Sequence, residues 1–319
     1  MRYICSLPEH HGEIFDFPFM PTITLTSCPV CGSSKLEKVF DAVDHFATKE
    51  IFPVCECREC SFRFTNSFPS EEMIGRYYDS ADYISHSDSD KGVVNRLYHY
   101  FRKGMLQKKV DLVAAHAQGD SLRLLDIGCG TGYFLQAAKE RGWHVRGIEK
   151  NSAARESAIA RTGAVIEDEN GLWNLEVGTF EVVTLWHVLE HIEKLNETLE
   201  KLQDILKPDG VAVIALPNHR AYDAQCYRSF WAAYDVPRHL WHFSPGTVEK
   251  LLKKHGLKII ETRPMPLDAF YISMLSEQYK KSNFLLKYGR AFLVGLIGYL
   301  RSLRHVAQSS SLIYIVKKD

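Results

Sequence analysis

Three glycines at a spacing of two follow a short apolar segment that contains an acid. The segment Arg123–Ile127 reads RLLDI, with Asp126 as its acid, and it is followed directly by Gly128, Gly130 and Gly132. Because glycine has no side chain, the backbone there can turn tightly and approach a bound molecule. A helical pattern begins at Tyr133, and the first turn of a helix has free N–H groups. A strand, a glycine turn and a helix in this order predict a nucleotide-type crevice.

A carboxylate about twenty residues beyond the turn supports this interpretation. Residues His144–Glu149 form a second predicted strand, and Glu149 is its last residue. An acid at this position can accept hydrogen bonds from both hydroxyls of a ribose. The alternative is an acid that lies in solvent at a strand end. The glycine spacing is not the dinucleotide fingerprint G-x-G-x-x-G, because Tyr133 occupies the position of the third glycine.

The elements that must position these residues follow in a regular order. Predicted strands lie near Val165 and at residues 180–185, 211–216, 257–262 and 312–317, and a helix at 195–206 precedes the turn Lys207–Gly210. Over roughly residues 122–218 this order resembles motifs I to VI of the class I S-adenosylmethionine (SAM) dependent methyltransferases. The resemblance implies an α/β fold, with a Rossmann-like seven-stranded sheet whose last strand is antiparallel.

The same resemblance implies which residues hold the cofactor. The glycines are expected to pack against its amino acid part, with Asp126 holding the turn or the ammonium group. Glu149 is expected to hold the ribose, Asp168 or Glu169 to lie beside the adenine, and His187 to lie on the cofactor side of a strand tip. The predicted cofactor-binding residues are therefore Asp126, Gly128, Gly130, Gly132, Glu149, Asp168 and His187.

The segment that follows the strand at 180–185 carries two histidines around an acid. It reads WHVLEH, and it places Glu190 and His191 at the expected floor of the acceptor crevice. Histidine is a natural general base because its pKa lies near neutrality. The Glu-His pair resembles that of quinone-biosynthesis O-methyltransferases and of zinc-containing sugar C-methyltransferases, so His191 and Glu190 are the predicted catalytic residues. The alternative is that His191 only caps or packs against the following helix.

An aromatic and polar loop after the strand at 211–216 is predicted to touch the acceptor. Loops beyond the carboxyl ends of strands line the crevice of an open α/β sheet. We expect three residues of this loop to bind substrate: Trp231, Arg238 and His239. The alternative is that the aromatics only pack and that Arg238 only bridges to an acid.

Five of the eight cysteines fall in one short segment, which predicts a metal site. They occur as Cys28-Pro-Val-Cys31 and Cys55-Glu-Cys57-Arg-Glu-Cys60, and two C-x-x-C pairs suit a tetrahedral structural zinc. The preferred ligands are Cys28, Cys31, Cys57 and Cys60, with Cys55 as a possible substitute for Cys57. Disulfides are the rival interpretation, but the chain shows no secretory signal.

The pattern predicts three parts and a cytoplasmic protein. Residues 1–68 hold the zinc ribbon, 69–118 form a helical connector that covers the cofactor, and 119–319 form the methyltransferase domain, with a helical insertion at about 264–311. An apolar helix at 284–303, flanked by cations, fits a buried cap, a dimer face or peripheral membrane contact. No segment reaches the ~20 apolar residues of a membrane span.

Charge narrows the class of acceptor. The 39 basic and 39 acidic residues give a formal net charge of zero, which favours a small molecule over nucleic acid. The predicted function is therefore methyl transfer from SAM to a sugar, a quinone-like compound or a lipid-linked compound. A zinc-ribbon rRNA methyltransferase and a non-catalytic scaffold with the SAM fold are the alternatives.

Overall fold

The computed structural model describes residues 22–78, 93–119, 122–281 and 283–319. The first 21 residues of the predicted ribbon segment and residues 79–92 of the predicted connector lie outside these ranges. The strands are β1 Thr22–Ile23, β2 Leu36–Val43, β3 Ile51–Cys57, β4 Arg63–Thr65, β5 Phe68–Pro69, β6 Arg123–Ile127, β7 His144–Ile148, β8 Val165–Glu167, β9 Phe180–Trp186, β10 Leu206–Pro217, β11 Trp241–His242, β12 Leu257–Pro264 and β13 Ser311–Lys318.

Helices connect most of the strands in the carboxyl-terminal two thirds of the chain. The α-helices are α1 Val93–His116, α2 Tyr133–Glu140, α3 Ser152–Thr162, α4 Leu195–Ile205, α5 Tyr222–Tyr227, α6 Pro245–Lys254, α7 Asp268–Tyr279 and α8 Phe284–Arg304. Short 3₁₀ turns lie at Ile74–Tyr77, Glu169–Asn174, Leu189–His191, Arg228–Phe230, Ala232–Tyr234 and Val306–Gln308.

The largest sheet has seven strands in the order β12-β13-β10-β9-β6-β7-β8. The pairs β7–β8, β6–β7, β6–β9 and β9–β10 are parallel, whereas β13 runs antiparallel to both of its neighbours. This confirms the predicted fold class, a Rossmann-like sheet in which the last strand is reversed. The turn predicted at Lys207–Gly210 is an irregularity within β10, between Leu206 and Val211.

Helices cover both faces of this sheet, which is why its central strands are apolar on both sides. Successive residues of one strand point to opposite faces, so Leu125 packs with α4 while Leu124 packs with α2. The central strand residues Val182, Val183 and Ile214 are fully buried. The sheet therefore forms a rigid platform, and the loops at the carboxyl ends of its parallel strands carry the candidate site.

A second sheet of four strands joins the ribbon to the rest of the protein. Its order is β11-β4-β3-β2, and β11 belongs to the loop that follows β10 in the large sheet. β4 and β11 pair antiparallel, with Trp241 opposite Phe64 and His242 opposite Arg63. The ribbon is thus connected to the catalytic platform through a shared sheet.

Two packed helices, α7 and α8, link β12 to β13. Glycines let them approach closely: a Cβ added at Gly295 would lie 2.7 Å from the Phe270 ring, and one added at Gly298 would lie 3.2 Å from Ala269. Within residues 22–78, 93–119, 122–281 and 283–319, no helix is long and apolar enough to cross a membrane.

Candidate active site

The glycine turn between β6 and α2 has the shape of a cofactor cradle. All three glycines have positive φ, of +70° at Gly128, +54° at Gly130 and +81° at Gly132. A Cβ at Gly128 would lie 2.5 Å from Val188, and one at Gly132 would lie 3.0 Å from Ala158. A Cβ at Gly130 would meet no atom within 4 Å. Gly128 and Gly132 therefore permit close packing, while Gly130 borders open space that a ligand can fill.

The two acids predicted to serve the cofactor lie on either side of this turn. Glu149 accepts the Gly130 N–H through Oε2 at 2.7 Å and the Asn151 N–H through Oε1 at 2.8 Å. Asp126 is buried, and the Thr184 hydroxyl donates to its Oδ1 at 2.6 Å. Burial raises the pKa of Asp126 to about 7, against the opposing effects of Thr184 and the Lys109 charge. The residues present fit a cradle for SAM.

The remaining predicted cofactor residues lie at the same edge of the sheet. Asp168 follows β8, and its Oδ1 accepts the N–H of Asn170 at 3.0 Å, so it caps the following turn. His187 follows β9, with Nδ1 3.4 Å from Glu190 and Nε2 3.6 Å from Asp268. Burial lowers the pKa of His187, but the two carboxylates outweigh this and hold its pKa above the ordinary value.

Glu190, His191 and His239 form a cluster shortly after Val188, the residue against which Gly128 packs. One potential ligand atom from each lies within 4.8 Å of the others, and the two imidazole rings meet edge to face at 4.5 Å. Burial and the neighbouring His239 lower the pKa of His191 to about 4, so this ring is neutral at pH 7. Burial raises the pKa of Glu190, but His187 outweighs it and the net pKa is lowered. The cluster thus holds an ionised carboxylate and a neutral imidazole.

Trp231 and Arg238, two of the three loop residues predicted to bind substrate, are engaged in the protein interior. Trp231 is 2% exposed, and its indole N–H donates to Asp223 at 2.7 Å. Arg238 is 4% exposed and donates to Asp44, to Asp235 and to the Tyr77 carbonyl oxygen. Neither side chain therefore offers a free face to an acceptor, because packing and ion pairing occupy both.

His239, the third of these residues, is half-buried and joins the Glu190–His191 pair. The structure also brings in two residues that the sequence did not indicate. Asp268 reaches His187 from the first turn of α7, and Lys109 of α1 lies 4.2 Å over the Trp186 ring at the end of β9. Both residues lie in long connections between strands, and no sequence motif predicts where those connections pack.

The four preferred cysteines converge in the ribbon. Cys28, Cys31, Cys57 and Cys60 lie within 4.8 Å of one another, with Sγ–Sγ distances of 3.5 Å for Cys28–Cys60 and for Cys31–Cys57. Two thiolates ~2.3 Å from a common tetrahedral zinc are about 3.8 Å apart, so the set fits a closed structural site. Burial raises the pKa of Cys57, but backbone N–H groups of Cys60 and Glu59 outweigh this and lower it to about 7. Cys55 lies outside the set.

Comparison with known proteins identifies the family to which the chain belongs. A family model described as a methyltransferase domain matches residues 98–262, more than half of the chain, and the chain belongs to this family. The ubiquinone biosynthesis O-methyltransferase of Rickettsia canadensis (strain McKiel) is 26% identical over 221 residues, covering 63% of this chain and 88% of that protein. The same-named enzyme of Neisseria meningitidis serogroup C (strain 053442) is 26% identical over 172 residues, covering 49% and 72%.

Among solved structures, a SAM-dependent methyltransferase from Archaeoglobus fulgidus is 20% identical, with a TM-score of 0.46. The match covers 72% of this chain and 100% of that one. Family, strand order and glycine cradle agree: this is a class I SAM-dependent methyltransferase with an amino-terminal zinc ribbon.

The space beside Gly130 allows a specific test of cofactor binding. In Gly130→Ala the new methyl group enters open space, so we expect S-adenosylhomocysteine, the demethylated product of SAM, to bind at least 10-fold more weakly. Gly163→Ala is the matched control, because Gly163 ends α3 with φ +60° and its Cβ would come no closer than 3.7 Å to another atom. Both changes strain the backbone by about 1 kcal/mol. Calorimetric affinities that fall equally in both variants would contradict the cradle.

The ribbon cysteines allow a second matched comparison. We expect Cys60→Ser to lose one tightly held zinc per chain, because three thiolates no longer close the tetrahedron. Cys55→Ser should lose none, since Cys55 is also buried but lies outside the cluster. Elemental analysis of freshly purified protein measures both. Zinc retained in Cys60→Ser, or lost in Cys55→Ser, would show that a different cysteine set binds the ion.

Proposed function

We propose that this protein transfers a methyl group from SAM to an oxygen of an apolar, hydroxylated small molecule of the quinone-precursor kind. Two of its relatives are named for O-methylation in ubiquinone biosynthesis. The net charge of zero supports a small acceptor over RNA. Sugar and lipid-linked acceptors are the other members of the predicted class.

One observation carries the proposal: a neutral imidazole, with an ionised carboxylate beside it, closely follows the residue that packs against the glycine turn. Val188, which Gly128 packs against, is only two residues before Glu190. Glu190 is held by an ion pair, with its Oε1 3.4 Å from Nδ1 of His187. His191 is half-buried rather than sealed in the core. A hydroxyl acceptor must lose its proton on methylation, and such groups are what that step requires.

Each residue then has a definite task. When bound, SAM supplies a methyl group on a positively charged sulfur. The open face at Gly130 admits its amino acid part and Glu149 binds the ribose, while His187 lines the cofactor side. His191 takes the proton of the acceptor hydroxyl, and the negative charge of the fully buried Glu190 beside it favours the protonated imidazole that results. Because the reaction needs no bond to the protein, orientation and charge supply most of the rate enhancement.

His191 is the most direct test of this assignment. We expect His191→Ala to lower turnover by about 10²–10⁴-fold while leaving the affinity for S-adenosylhomocysteine nearly unchanged. His144→Ala is the control, because His144 is exposed at the start of β7 and therefore at the opposite end of that strand. The assay follows labelled methyl transfer from SAM to a prenylated catechol. Full activity of His191→Ala would assign that residue to packing.

The choice of acceptor in the same assay also separates the alternative functions. SAM binding without transfer to catechols, nucleotide sugars or polyprenyl-linked compounds would favour a non-catalytic scaffold. Transfer to ribosomal RNA would favour the rRNA enzyme.

We further propose that α8 places this site on an anionic bilayer, where apolar acceptors collect. Its outer face exposes Tyr288, Phe292, Leu293, Leu300 and Leu303, each about half exposed or more. The helix contains four cations, Lys287, Arg290, Arg301 and Arg304, and no acidic residue; Arg290 is paired with Glu277 of α7 at 3.1 Å, which leaves the other three for the membrane surface. An apolar stripe with cations around it suits the interface of an anionic membrane.

Vesicle flotation tests this contact. We expect the protein to bind vesicles that contain phosphatidylglycerol and to bind pure phosphatidylcholine at least 10-fold less, because the cations need an anionic surface. Leu293→Glu should abolish flotation, whereas Val177→Glu should not, since Val177 is equally apolar and 74% exposed but lies far along the chain, before β9. Equal flotation of both variants would contradict the role of α8. Equal binding of the wild-type protein to both kinds of vesicle would do the same.

A further inference from the structure

His187 adopts a strained backbone conformation at the tip of β9. Its φ of +57° lies in the left-handed region, which favours glycine over a residue that carries a Cβ. Its N–H donates to the Ala215 carbonyl oxygen of β10 at 3.1 Å, so the residue is fixed to the sheet. Strain of this kind persists only where the surrounding structure holds it, and it is common at active sites. The direction of the His187 ring is therefore set by what surrounds it.

Two carboxylates from different parts of the chain face the His187 ring. Its Nδ1 lies 3.4 Å from Glu190 Oε1, and its Nε2 lies 3.6 Å from Asp268 Oδ2. Because carboxylate oxygens accept hydrogen bonds, this arrangement favours a ring that carries a proton on each nitrogen. Glu190 follows the same strand, whereas Asp268 comes from α7, in the insertion between β12 and β13. The insertion therefore supplies one of the two groups that hold the ring.

Contacts before and after Asp268 fix the position of its carboxylate. The Met265 N–H, three residues earlier, donates to the Ser311 carbonyl oxygen of β13 at 3.0 Å. Farther along α7, the Ser276 hydroxyl oxygen accepts the Ala232 N–H at 2.9 Å. Asp268 lies in the first turn of α7, where the helix dipole stabilises a negative charge. The carboxylate thus extends toward His187 from a segment that is anchored on both sides.

Asp268 also lies beside a second cation, Lys109 of α1. Burial lowers the pKa of Lys109, and the charges of Asp126 and Asp268 oppose this shift. The Lys109 ammonium lies 4.2 Å over the ring of Trp186, the residue immediately before His187. One carboxylate of the insertion is therefore shared by two cations at the tip of β9, which suits a group that fixes their arrangement.

The position of the His187 ring matters for the base. Glu190 is fully buried, so its charge needs the facing His187 ring as a partner. Glu190 in turn lies beside His191 in the cluster that includes His239. If the His187 ring turned away, Glu190 would lose its ion pair and with it the fixed position from which it favours the protonated form of His191.

We propose that Asp268 is a positioning residue for methyl transfer, which holds the His187 ring against Glu190 so that the insertion between β12 and β13 completes the active site. This inference rests on the proposed function. Asp268 acts through His187 and Glu190 on the base His191, and no bond of the reaction forms or breaks at its side chain.

A double-mutant cycle on Asp268 and His187 tests this coupling by activity. We expect Asp268→Asn to lower kcat for transfer to a prenylated catechol by about 10–100-fold and to change KM for SAM by less than about 2-fold, because it disturbs the base and not the cradle. In His187→Ala the same change should cost nothing further, since the ring that Asp268 holds is gone. Asp268→Glu should restore activity. Asp111→Asn is the control: it breaks an exposed ion pair with Arg141 and should leave kcat unchanged.

Nuclear magnetic resonance of protein labelled with ¹⁵N-histidine measures the contact without any acceptor. In the complex with S-adenosylhomocysteine, the wild-type protein should show a signal from the His187 Nε2 proton, because the facing carboxylate slows exchange with water. Its absence from His187→Ala assigns it. The signal should vanish in Asp268→Asn, return in Asp268→Glu and persist in Asp111→Asn. Retained binding of S-adenosylhomocysteine establishes that each variant is folded.

The outcomes separate this inference from the proposed function. A His187 signal that persists in Asp268→Asn would overturn the positioning role, and so would an equal loss of kcat on adding Asp268→Asn to the wild type and to His187→Ala. Transfer at the wild-type rate in Asp268→Asn keeps the function and removes the positioning role. A signal that depends on Asp268 in a protein that transfers no methyl group removes the function, and with it the catalytic role of the contact.

Discussion

The pairing of β4 with β11 determines where the acceptor loop can lie. β11 has only two residues, Trp241 and His242, and a strand of that length has no stability without a partner. Thr65 at the end of β4 extends the contact. Its N–H donates to the carbonyl oxygen of Leu240 at 2.8 Å, and its hydroxyl donates to the carbonyl oxygen of His239 at 2.8 Å. The ribbon therefore holds the backbone of His239, and this fixes the position of the His239 side chain in the cluster with Glu190 and His191.

A buried ion pair holds the same two regions together from the other side. The Arg238 guanidinium lies between Asp44, which follows β2 of the ribbon, and Asp235 in the loop, and Asp44 is itself fully buried. Removing one partner from such a buried pair costs about 3–5 kcal/mol, because the other charge is left without compensation. Arg238 therefore contributes to the site indirectly. It fixes the loop from which His239 extends toward Glu190.

The sequence predicted the features that are local and missed those that depend on distant contacts. The glycine turn, the short apolar strands and the two C-x-x-C knuckles each carry their own signal within a few residues, and the structure has all of them where they were expected. The β4–β11 pair joins residues that are about 180 positions apart, and two-residue strands have no periodicity to read. Trp231 and Arg238 were predicted to face the acceptor because their loop follows the carboxyl end of a strand, but the position of a loop does not determine which way its side chains point. Asp268 reaches His187 through an insertion that the resemblance did not cover.

Hydrogen–deuterium exchange on zinc-loaded and chelator-stripped protein tests most directly whether the ribbon holds the acceptor site in place. Removing the zinc should unfold the ribbon, because a small metal domain derives its folding free energy from the ion. The account predicts that residues 235–242 lose protection together with residues 28–65, while residues 123–132 of β6 and the glycine turn keep theirs. Loss of protection in the ribbon with residues 235–242 still fully protected would contradict it.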